Sequence, residues 1–70
     1  MMELTFLIED AAEGGFTAKA LGESIFTQAE SLAELKKMVK EAVLCHFEES
    51  NMPRIVRLHY VKDEILPIAS

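Results

Sequence analysis

The sequence predicts a small α+β domain of order βββαβ: an antiparallel three-stranded meander, one helix on one of its faces, and a fourth strand parallel to the first. Three observations carry this. Two-residue alternation recurs in three short segments near the N-terminus, separated by glycine-bearing turns. A Ser-x-x-Glu sequence at Ser31 and Glu34 then opens an apolar stripe of helical period. A β-branched and aromatic run from Arg54 to Val61 follows the helix, and a strand reached through a helix can lie parallel to an earlier strand by a right-handed crossover.

In the first strand Leu4, Phe6 and Ile8 alternate with Thr5, Leu7 and Glu9, so one set faces a core. Asp10 to Gly15 has no apolar period, and its two glycines supply the positive backbone angles of a hairpin turn. Phe16, Ala18 and Ala20 alternate with Thr17, Lys19 and Leu21 in the second strand. Gly22 and Glu23 mark a tighter turn before the third, in which Ile25, Thr27 and Ala29 alternate with Ser24, Phe26 and Gln28. The capping box predicts a helix from Leu32 to about Glu49, with the stripe Leu32, Leu35, Val39, Ala42, Val43 and Phe47 widened by Met38, Leu44 and Cys45. Asn51 and Pro53 break it. In the fourth strand Val56, Leu58 and Tyr60 share one face, and Ile55, Arg57, His59 and Val61 the other. Lys62 to Ile68 either extends this strand or folds back as a tail.

Seventy residues make one domain, 1–70, and a core of this size buries only about 60% of the surface that the unfolded chain exposes. Half the residues are hydrophobic and 27% are charged, the balance of a folding chain. The formal charge of -5 offers no general attraction to nucleic acid or anionic membranes, so neither is an expected partner. Met1 to Phe6 does not read as a secretory signal, and no uncharged run approaches the roughly 20 residues of a membrane span. A cytoplasmic location is expected. Cys45 is the only cysteine, which excludes an internal disulfide, and at this length self-association is an expected source of stability.

The signatures G-x-G-x-x-G, G-x-x-x-x-G-K-[ST] and H-E-x-x-H are missing. Cys45 and His46 are neighbours about 100° apart around the helix, poor geometry for a nucleophile and base or for two ligands of one metal. Cys45 reads as a small core residue and His46 as the edge of the apolar stripe. The carboxylates of the first strand lie at its two ends, which argues against a metal site there. No catalytic residue, cofactor or metal is predicted, and the chain is not expected to be an enzyme.

One helix covers one face of the sheet and leaves the other with Thr5, Leu7, Thr17, Lys19, Phe26, Arg57 and His59. Leu7 and Phe26 there either contact another chain or lie beneath Ile65, Leu66 and Ile68 of the tail. Arg57 and His59 form either a cationic pair for a partner's carboxylate or phosphate, or a solvated strand face. Through Leu35 the chain holds seven carboxylates against one Lys, a net -6; from Lys36 onward six cations meet five carboxylates, a net +1. Such an asymmetry either steers a basic protein partner or serves solubility.

The segments Phe6 to Glu9, Glu13 to Ala18, Gly22, and Phe26 to Glu34 together resemble the HicB-like antitoxins, in a stand-alone form of their N-terminal domain. The likeness covers about the first two-thirds of the chain. Ala20 and Leu21 stand where that family usually has a proline, Glu23 where it has a cysteine, and Ala29 where it has a glycine. The resemblance implies a truncated ribonuclease H-like fold and a non-catalytic protein that masks a small basic ribonuclease toxin of the HicA type. Many such antitoxins carry a C-terminal DNA-binding module; this sequence holds no counterpart, so operator binding is not expected. Under this reading Glu9, Asp10, Glu13 and Glu23 attract the partner at long range and Phe26 supplies an apolar anchor, with Arg57 and His59 as further candidate partner-binding residues. The alternative is an orphan domain of the same fold that assembles into a homodimer or tetramer, binds an unknown ligand and has no toxin.

Overall fold

The computed structural model describes residues 2–69. Its elements are β1 (Glu3–Asp10), β2 (Phe16–Ala20), β3 (Phe26–Ala29), α1 (Leu32–His46), a 3₁₀ turn (Glu49–Asn51) and β4 (Ile55–Tyr60). The sheet order is β3-β2-β1-β4, with β1 antiparallel to β2, β2 antiparallel to β3, and β4 parallel to β1. The architecture is therefore the expected small α+β βββαβ arrangement.

Leu4, Phe6 and Ile8 of β1 are buried beside Ala18 and Ala20 of β2, Ile25, and Leu35, Val39 and Val43 of α1. Register explains the grouping: Phe6 stands opposite Ala20 and Ile8 opposite Ala18, so the bulk comes from β1 and the space from β2. Two alanines on β2 let α1 approach β2 and β3 closely, and its backbone does not come near β1 or β4. The helix is thus displaced to one side of the sheet. Val56 and Leu58 of β4 are only partly buried, and Tyr60 stays exposed.

The β1–β2 turn closes through Ala11 N to Gly15 O (3.0 Å) and Gly14 N to Ala11 O (3.1 Å). Gly15 has φ +84°, and a Cβ there would lie 2.5 Å from the Ala29 carbonyl oxygen. Positive φ and the close approach of β3 both demand glycine. Ser31 caps α1 by accepting a hydrogen bond from the Glu34 backbone N–H (3.2 Å); the reciprocal bond of a full capping box is not formed among the described residues.

Three expectations are corrected. The helix ends at His46, short of Glu49, because Phe47 is extended (φ -104°, ψ 144°); this keeps its ring packed against the core while residues 48–54 return to the sheet. There the Arg54 and Ile55 N–H groups both donate to Met2 O at 3.0 Å, which aligns β4 with β1. Cys45 is exposed rather than a core residue, and Leu44 is 56% exposed, since both lie on flanks of α1 that the displaced helix does not bring onto the sheet. The tail from Lys62 neither lengthens the strand nor folds over the sheet: Ile65, Leu66 and Ile68 are 88%, 74% and 92% exposed. No helix of the described residues is long and apolar enough to cross a membrane.

Candidate protein-docking surface

The face of the sheet opposite α1 carries no covering layer. Cross-strand register places Phe26, Lys19, Leu7 and His59 in one row, since Lys19 pairs with both Phe26 and Leu7, and Leu7 pairs with His59. Phe26, on the outer strand, is 61% exposed, and Leu7 is half-buried. Aliphatic Leu21 and Ile55 are also exposed. Because the tail does not fold onto this row, its apolar side chains are left for another molecule.

Arg57 lies on the same face but is engaged. Its Nε donates to Glu3 Oε1 at 3.0 Å, and its Nη2 lies 2.8 Å from the same oxygen, a diagonal pair between the start of β1 and β4. The cationic pair expected of Arg57 and His59 is thus divided: the guanidinium is turned to Glu3, and His59 stands exposed beside Leu7.

The four acids expected to attract a partner do not form one group. Glu9 lies on the open face opposite Thr17, Asp10 follows at the strand end opposite Phe16, and Glu13 is in the turn between them. Glu23 sits in the β2–β3 turn at the other end of β2, five residues or roughly 17 Å away. Its Oε1 is 3.1 Å from His46 Nε2, so it ties that turn to the end of α1. The His46 ring also meets Phe47 edge to face, with centroids 4.9 Å apart. Committed to Glu23 and Phe47, His46 is not placed as a base for Cys45.

Two further acids complete the Asp10 end. A depression of about 380 Å³ is lined by Glu13, Glu30 and Glu34 together with Phe16 and Gln28, and no cation borders it. From the sequence alone Glu30 and Glu34 read as surface charge and, at Glu34, as part of the Ser31 cap. A meander returns β3, and hence the start of α1, to the same end as the β1–β2 turn, which was the signal for this convergence. Among the described residues no group of three His, Cys, Asp or Glu side chains is arranged to hold a metal ion.

Comparison with known proteins places the chain in a family. A UPF0150 protein of Archaeoglobus fulgidus is 62% identical over 50 residues, 71% of this chain and 74% of that relative. A UPF0150 protein of Thermotoga maritima is 38% identical over 66 residues, 94% of this chain and 93% of that relative. The chain belongs to the UPF0150 family. The Thermotoga match takes in nearly all of this UPF0150 chain, so the likeness is not confined to one motif. No family model matches the UPF0150 chain, and no solved structure does.

Proposed function

We propose that this UPF0150 chain is a HicB-like, non-catalytic binding domain that covers a small basic ribonuclease toxin of the HicA type. The observation that carries the reading is the acidic end of the sheet, where Glu13, Glu30 and Glu34 line one depression without a cation and Asp10 stands at the adjoining strand end, with exposed Phe26 and half-buried Leu7 three residues further along the open face. Carboxylates in that arrangement accelerate encounter with a basic surface, and the exposed Phe26 further along the open face supplies a desolvated contact that holds it. Inhibition then follows from steric cover, and the chain needs no reactive group of its own.

A second reading rests on the same open face. Phe26, Leu21 and Ile55 would equally suit an orphan domain that assembles with itself as a homodimer or tetramer. The experiment that separates the two is co-expression with the product of any short, basic reading frame adjacent to the gene. A stable complex whose ribonuclease activity is silenced supports the toxin-masking reading. Failure of that product to bind, or the lack of such a reading frame, favours the orphan assembly.

A further inference from the structure

The displacement of α1 toward β3 leaves a groove on the helix side of the sheet, quite apart from the open face. It has a volume of about 400 Å³, and its walls are apolar, with Val39, Val43 and Leu44 on the helix side and Val56 and Leu58 on the β4 side. Its charged lining residues are Lys36, Lys40 and Arg54, all cations. Its helix-side lining runs from Lys36 to Leu44, eight residues or about 12 Å.

The chain carries a segment that matches it. After Tyr60 the sequence reads Lys62, Asp63, Glu64, Ile65, Leu66, Pro67, Ile68, two carboxylates followed by three large aliphatic residues, all in solvent. Pro67 biases Leu66 to an extended backbone, the shape a linear groove accepts. Six extended residues from Asp63 to Ile68 reach about 20 Å, enough to run the groove's length. The segment does not lie in its own groove. Val61 continues the line of β4 by donating to Ile8 O at 2.9 Å, and the chain extends to 59 Å on its long axis against 20 and 18 Å on the others. Reversal onto its own helix would need a tight turn within 61–64, where Val61 is tied to Ile8 and Asp63 is the one turn-favouring residue.

We propose that the groove between α1 and β4 receives the acidic-aliphatic C-terminal segment of a second copy of this chain, exchanged reciprocally in a homodimer. Asp63 and Glu64 meet Lys36 and Lys40 on the helix wall, and Ile65, Leu66 and Ile68 fill the apolar walls. The open face and the acidic end stay free in such a dimer, so it holds whether or not a toxin partner exists.

A charge exchange tests it on the full chain. One variant carries K36E and K40E; a second carries D63K and E64K; all four positions are exposed, and circular dichroism checks that each variant is folded. Sedimentation equilibrium is expected to give twice the 7.8 kDa chain mass for the unaltered protein. Each variant alone is expected to dimerise at least about tenfold more weakly, because like charges then face each other. Mixing the two variants restores both opposite-charge pairs and recovers a one-to-one heterodimer. An unaltered chain that stays monomeric to its solubility limit would overturn the proposal. So would a dimer indifferent to both variants, which places the interface elsewhere, or variants that weaken the dimer without rescue on mixing.

Discussion

Glu23 Oε1 lies 3.1 Å from His46 Nε2, joining the β2–β3 turn to the last turn of α1 across 23 residues of sequence. The contact withdraws Glu23 from the acids that face a partner and makes it part of the scaffold. Both groups are partly exposed, and such pairs contribute about 0–1 kcal/mol. Glu23→Gln is expected to lower unfolding free energy by less than about 1 kcal/mol and to leave the association rate with a basic protein unchanged. Chemical denaturation and stopped-flow binding check the two halves. A large fall in association rate would return Glu23 to the docking surface.

Gly14 and Gly15 sit side by side with φ of +101° and +84°, yet they differ in surroundings. A Cβ at position 14 meets nothing within 4 Å, whereas at position 15 it meets the Ala29 carbonyl at 2.5 Å. Gly14→Ala is expected to cost about 1 kcal/mol from backbone strain alone. Gly15→Ala adds displacement of β3 and is expected to cost about 2–3 kcal/mol. Urea denaturation of the pair reads the difference, and equal losses would contradict the close approach of turn and strand.

Thr27 Oγ1 is buried without a hydrogen-bond partner among the described residues, on the core side of β3 opposite Ala18. An unsatisfied hydroxyl is destabilising, and valine has the same shape without it. Thr27→Val is expected to stabilise by about 1 kcal/mol, which raises Tm by roughly 4–8 °C in a domain of this size. Calorimetry decides, and a lowered Tm would mean that the hydroxyl has a partner in solution.

What was legible in the sequence follows from what each signal reports. Leu4, Phe6 and Ile8 were legible as a core face because strand period depends only on neighbours in the chain. Ser31 and Glu34 marked the helix start for the same local reason. Cys45 and Leu44 were misplaced because their burial depends on where α1 lies across the sheet, and that is decided by Ala18 and Ala20 on another element. The Glu23–His46 and Arg57–Glu3 pairs join distant segments, so no local spacing announces them. Of the expected docking residues, Glu9, Phe26 and His59 are presented on the open face and Asp10 and Glu13 at its end, whereas Glu23 and Arg57 are held by partners within the chain.

The acidic end is the surface on which the proposed function depends, and reversing its charges interrogates it without touching the core. Asp10, Glu13, Glu30 and Glu34 are exposed, so their replacement by lysine leaves the apolar cluster intact. The decisive measurement is the titration of the purified chain, unaltered and with these four reversals, into a ribonuclease assay of the product of any short, basic reading frame adjacent to the gene. Stoichiometric inhibition by the unaltered chain is expected, with an association rate that falls as salt rises and drops at least about tenfold on charge reversal. Undiminished ribonuclease activity at saturating chain, or inhibition that the four reversals leave unchanged, would contradict the proposed masking of a basic toxin at this end of the sheet.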